Sequence, residues 1–267
     1  MQKKKIILYI LIIFFFILLI IFSSLSIKTL ENNLSTCCKS FCDFDSTSPF
    51  SINKIVYFSS SNCESSINQN SSFTISNLYQ YTDIAIFINN NSNGNYTAQN
   101  TLKRVSLSDI KFYMEPSIGT PALYYKNIND FARSNFDESK KIEHSIDFIC
   151  TSEDSIDFSE PVLYNNTANP ITLCYVNSNL INNYTLEDAV SNISYNGSLL
   201  KMCNITLNSI SCKLSFLITI ENNQDEIYTC PIILTIPLST EKSTIYDGSL
   251  VLTDNTNYHF IKGNSNI

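Results

Sequence analysis

The chain has 267 residues, 44% of them hydrophobic, which is enough for a substantial core. It carries 17 basic and 24 acidic residues; setting aside Lys3, Lys4 and Lys5 leaves 14 basic against 24 acidic, a net charge of −10 for the remainder. That balance excludes a nucleic-acid partner and docking on anionic lipid, and it suits a solvated exterior domain.

Residues Ile6 to Phe22 form an uncharged apolar run whose one polar group is the Tyr9 phenol. Extended through Leu25 it spans roughly 30 Å as a helix, the thickness of a bilayer core. A cleaved signal peptide ending near Ser24-Leu25-Ser26 is one reading. The length of the run favours the other, an uncleaved signal-anchor over residues 1–25. Either way the three lysines hold the N-terminus in the cytoplasm, with the bulk of the chain extracellular. The expected localisation is therefore the cell membrane, with a single N-terminal span.

Residues 26–50 read as a polar stalk containing Cys37, Cys38 and Cys42. From Ser51 the hydrophobic period is two. Strands are expected at Ile52–Phe58, Ser72–Leu78 and Asp83–Ile88, the last apolar on both faces and therefore central. Leu102–Tyr113 alternates, and Ala122–Tyr125 is a short returning strand after Pro116, Gly119 and Pro121. Residues 127–141 are charged and helix-tolerant, and they mark a boundary. His144–Cys150, Ile171–Val176 and Ser194–Met202 follow as strands. Ser211–Pro237 is the clearest unit, a hairpin turning at Asn222-Asn223-Gln224-Asp225. Ile245–Leu252 is the last strand, and residues 254–267 form a polar tail.

The fold class expected is all-β: an Ig-like β-sandwich ectodomain behind one N-terminal transmembrane helix. The strand count suits two sandwiches in series, over residues 51–130 and 142–253. Asn-x-Ser/Thr sequons, such as those at Asn70, Asn95, Asn183 and Asn204, are no more frequent than the abundance of Asn, Ser and Thr gives by chance.

Nine cysteines is an odd number, so at least one thiol is free or bridges chains. Outside the cell disulfides are the default. In the hairpin, facing residue numbers must sum to an even number, such as 446, for both apolar faces to coincide. Cys230 then faces Phe216, roughly 14 Å from Cys212, too far for a bridge. Each can instead reach an inward cysteine of the opposite sheet, with Cys150 and Cys174 as candidates. Cys37, Cys38, Cys42 and Cys63 do not have zinc-site spacing; disulfides clamping the stalk to the first domain suit them better. Free buried thiols are the alternative for all eight.

No nucleophile elbow, zincin motif, P-loop or dinucleotide fingerprint occurs. The two histidines, His144 and His259, sit at a strand start and in the tail, where surface roles are expected. Glu153, Asp154, Asp157 and Glu160 lack EF-hand order and read as a solvated loop. No cofactor, metal or catalytic residue is expected. Tyr79, Tyr81, Tyr124 and Tyr125 cluster near the loops of the first domain. They form a possible binding face for sugar or peptide, unless they belong to the core.

The segments GTPALYYKNINDFA (Gly119–Ala132) and NPITLCYVN (Asn169–Asn177), with the Asn-turn hairpin, resemble uncharacterised membrane-anchored exported proteins of AT-rich Firmicutes-type bacteria. The resemblance implies a surface protein and carries over no site residues. The function expected is a binding or interaction module at the cell surface, with an unknown protein or glycan partner. A carbohydrate- or cell-wall-binding module is the first alternative. An envelope hydrolase with paired carboxylates is the second.

Overall fold

The computed structural model describes residues 48–67, 72–92, 94–113, 115–153, 156–165, 170–186, 194–237, 248–253 and 258–263. The apolar run Ile6–Phe22 and the stalk cysteines Cys37, Cys38 and Cys42 lie outside the described residues. Among the described residues no helix is long and apolar enough to cross a membrane.

Twelve strands are described: β1 (Ser51–Ile67), β2 (Phe73–Asn89), β3 (Leu102–Tyr113), β4 (Thr120–Tyr125), β5 (Ile146–Thr151), β6 (Val162–Tyr164), β7 (Pro170–Ile181), β8 (Tyr184–Leu186), β9 (Cys212–Asn222), β10 (Ile227–Ile236), β11 (Gly248–Leu252) and β12 (Ile261–Lys262). Two short helices, α1 (Ser198–Met202) and α2 (Leu207–Ile210), precede β9. The first sheet runs β11-β1-β2-β7-β4, with β8 paired to β2. The second runs β12-β10-β9-β3-β5-β6. All pairings are antiparallel except β5 with β6.

The alternation in the sequence sets which side chains face inward. Along β9, Cys212, Leu214, Phe216, Ile218 and Ile220 are buried and the intervening residues are half-exposed. They pack against the inward row of the first sheet, including Ile55, Tyr57, Ile84, Ile86, Leu173 and Tyr175. Each fully buried isoleucine contributes about 2 kcal/mol by leaving water, and Ile55, Ile84, Ile86, Ile218 and Ile220 have no exposed surface. The centre of β2 is buried on both faces, as its two-sided apolar sequence requires. A second cluster, around Phe73, Ile75, Leu78, Leu199, Leu200 and Ile210, closes one end of the sandwich.

Several expectations need correction. The two halves are not sandwiches in series. Residues 51–130 supply β1, β2 and β4 to the first sheet and β3 to the second, and residues 142–253 supply strands to both. Residues 48–267 accordingly form one compact unit. Ser72–Leu78 and Asp83–Ile88 belong to a single 17-residue strand. Within Ser194–Met202 the chain turns helical as α1 because Leu199 and Leu200, adjacent in sequence, both enter the end cluster. A strand would send them to opposite faces. Phe50 belongs to the core and stacks edge-on with Tyr228 at 5.4 Å, so the stalk stops short of it. In the tail, Phe260 is buried and β12 pairs with β10.

Candidate functional site

Lys126 and Asp83 are the most deeply buried opposite charges among the described residues, at 2% and 0% side-chain exposure. Strand register explains their meeting. Across the first sheet, Phe58 of β1 lies opposite Asp83 of β2, Asp83 opposite Cys174 of β7, and Cys174 opposite Tyr124 of β4. The neighbouring row holds Tyr81, Val176 and Ala122. Phe58, Tyr81, Tyr124, Cys174, Val176 and Ala122 form an apolar cluster of their own, separate from the main core. Lys126 follows β4 directly and extends onto the same surface.

This outer face is covered by the segment that leaves β4. Residues Ile128–Asp130 and Glu138–Lys140 form single 3-10 turns, capped by the side chains of Asn127 and Asp137. Phe136, between them, packs on Tyr124 at 4.9 Å and on Tyr79 at 5.5 Å. The segment rejoins the sheet where the Ile142 amide donates to the Leu123 carbonyl at 2.8 Å, which covers part of the β4 edge.

Four consecutive residues of the segment are pinned by side chains rising from the sheet. The Ala132 amide donates to Asp83 Oδ2 at 2.8 Å. Lys126 Nζ donates to the Arg133 carbonyl at 2.9 Å and to the Asn135 carbonyl. The Tyr79 hydroxyl donates to the Ser134 carbonyl at 3.0 Å, and Asn62 Nδ2 to Ser134 Oγ at 2.8 Å. Ala132 holds a positive φ of 65°, a conformation that this set of bonds maintains. The Arg133 side chain, by contrast, is 70% exposed. The segment thus has a fixed main chain, with Phe136 turned onto the sheet and Arg133, Asn135 and Asp137 turned outward.

Burial governs the electrostatics. Desolvation pushes Asp83 up to about 6, opposed by the Lys126 ammonium, the Cys174 thiol and the Ala132 amide. It holds the Cys174 thiol well above its ordinary value, with Asp83 adding to the effect. Burial and the nearby Glu138 carboxylate push Tyr124 up to about 12; its hydroxyl donates to Glu138 Oε2 at 3.1 Å. Beside the segment lies a cleft of about 400 Å³, lined in part by Asn127, Asp130, Phe136, Asp137 and Glu160. Its carboxylates are engaged: Asp137 takes the Ser139 amide and hydroxyl, which hold it below the usual carboxylate range, and Glu160 pairs with Lys140 at 2.6 Å. A general acid needs the opposite shift.

The four tyrosines, open between a binding face and the core on the sequence, divide between two sides of the first sheet. Tyr79, Tyr81 and Tyr124 come together, but beneath the 127–141 segment, with Tyr81 and Tyr124 5% exposed and Tyr79 half-buried. Tyr125, adjacent to Tyr124, faces the other side of the sheet. It meets Phe148 at 5.9 Å and donates to the Phe158 and Glu160 carbonyls.

Cys63, Cys150, Cys174, Cys203, Cys212 and Cys230 form no disulfide among the described residues. Cys212 and Cys230 are indeed separate, opposite Ile236 and Ile218 respectively. The expected bridge from either to Cys174 is ruled out by facing: Cys174 lies on the outer cluster, and Cys212 and Cys230 lie in the main core. Cys150 packs against that core but remains unbridged. Both histidines are exposed. Among the described residues no group of three or more His, Cys, Asp or Glu side chains converges as a metal site.

Sequence reasoning missed Asp83 and Lys126 as a pair. The signal was an acid heading the two-faced apolar run DIAIFI and a lysine ending LYYK. A charge at such a place requires a buried partner. No family model, curated protein or solved structure matches this chain.

Proposed function

We propose that the chain is a membrane-anchored, extracellular binding module whose Ig-like β-sandwich presents residues 127–141 to a protein partner at the cell surface. The observation that supports this reading is the division of labour in that segment. Its main chain at 132–135 is held by Asp83, Lys126 and Tyr79, with Asn62 bonding the Ser134 hydroxyl, while Arg133, Asn135, Asp137 and Glu138 face solvent. A recognition loop fixed before binding loses little conformational entropy on association. Mixed charge around a cleft confers partner selectivity more than raw affinity. Tyr81, Tyr124 and Tyr125 are buried and Tyr79 half-buried, which favours a protein partner over the alternative of a tyrosine-lined sugar face.

The test places a photo-crosslinking amino acid at Arg133 in the full chain in its native membrane. A control carries it at Thr235, exposed on the outer face of the second sheet. A discrete adduct from position 133 and none from 235 supports the reading. Equal adducts from both positions, or none from 133, contradict it.

A further inference from the structure

We propose that Asp83 works as a buried proton latch, carrying a proton when residues 130–136 are seated on the sheet, so that mild acid tightens this loop rather than releasing it.

The geometry separates the roles of the two charges. Lys126 Nζ lies 3.6 Å from Asp83 Oδ2, beyond hydrogen-bond distance. Its donors go instead to the Arg133 and Asn135 carbonyls and approach Asn135 Oδ1 at 3.5 Å. The ammonium is therefore satisfied by the loop itself. The Asp83 carboxyl accepts the Ala132 amide at Oδ2, while its Oδ1 is buried without a hydrogen-bond partner. A buried carboxylate oxygen with no donor is a costly arrangement, and a proton on it removes the charge responsible.

The groups facing Asp83 from each neighbouring element are few. They are Lys126 after β4, the Cys174 thiol from β7, the apolar Phe58 from β1 and the Ala132 amide from the loop. The phenols of Tyr81 and Tyr124 share the cluster, with Glu138 beyond Tyr124. The Arg133 guanidinium turns away to Asp130. Among these, Lys126 alone is a cation close to the carboxyl, and burial outweighs its attraction.

The sign follows from linkage. With the loop closed, Asp83 titrates near 6, against 3.8 for a solvated carboxylate. Between those values the closed state binds more protons than the open one, so lowering the pH favours closure. Two pKa units correspond to roughly a hundredfold shift in the opening equilibrium, gained as pH falls from about 6 to about 4 and absent above that window. A salt-bridge clamp predicts the reverse, with acid opening the loop. The inference rests on the recognition-loop reading for its consequence, a loop more firmly set in acid. Its test involves no partner, so the two fail separately.

The experiment is hydrogen–deuterium exchange of the full chain from pH 7 to pH 4, corrected for the intrinsic pH dependence of exchange and read at residues 130–136. Protection rising by up to roughly a hundredfold toward acid supports the latch. D83N, a neutral isostere, keeps the loop protected and flattens the pH dependence. K126M loses protection at both ends of the range while the β9 amides stay protected. Three results overturn the proposal: protection falling toward acid in the unmodified protein, D83N opening the loop as K126M does, or an intact mass about 18 Da low with Lys126 and Asp83 joined as an amide, which does not titrate.

Discussion

Gly119 shows at a single residue how closely the first sheet approaches the loop before β4. Its φ is 90°, and a Cβ there would lie 2.2 Å from Asn177 Oδ1 and 2.8 Å from Leu180 Cδ2. Gly119→Ala therefore combines backbone strain with overlap, and a loss of about 2–4 kcal/mol is expected in denaturant unfolding. The thiols give a second prediction. Burial pushes Cys150 up to about 12 and Cys203 and Cys212 up to about 11, and Cys174 is fully enclosed. At pH 8 these four resist alkylation in the native state and react fully once unfolded, as mass spectrometry of the labelled protein reads directly. At this scale the sequence was least informative. Asp83 and Lys126 are 43 positions apart in the chain, and only the β2–β7–β4 register joins them. Likewise the sequence left the tyrosines open between a binding face and the core, because nothing local announced that residues 127–141 fold back over them.

Elements were more legible, to the extent that alternation was unbroken. β3 runs Leu102–Tyr113 as expected, and the β9–β10 hairpin has the expected inward faces. Its facing residues sum to an even number, 448 rather than 446, as in Tyr228 opposite Ile220. The turn is therefore centred on Gln224, one residue later than expected, with the left-handed conformation at Asp225. Ile218→Ala is expected to cost about 2–5 kcal/mol and Thr235→Ala less than about 0.5, measured by the same unfolding experiment. The long strands β1 and β2 were read short for two physical reasons. Register shifts between Ile52 and Lys54 and between Asn62 and Glu64 reset the phase of the alternation. The buried run Ser59–Ser61 also looks solvent-facing by composition, although Ser59 bonds Thr82 inside the sandwich at 2.8 Å.

For the whole molecule, the all-β class followed from a period of two sustained over most of the chain. The number of sandwiches did not, because strand count is indifferent to which sheet each strand joins. Both halves contribute to both sheets, so neither half has a core of its own. Calorimetry of the full chain is expected to show one unfolding transition for residues 48–267; two resolved transitions would restore the serial arrangement. The role proposed for this body depends on one local property, a surface segment whose backbone is fixed by the sheet beneath it. Amide exchange across residues 127–141 at pH 7 measures that property most directly. Ala132 and its neighbours at 130–136 are predicted to exchange roughly a hundredfold or more slowly than an unstructured chain. Exchange at the unstructured rate would mean that Asp83, Lys126, Tyr79 and Asn62 do not hold the loop, and the presentation of residues 127–141 as a prepared binding surface would fail with it.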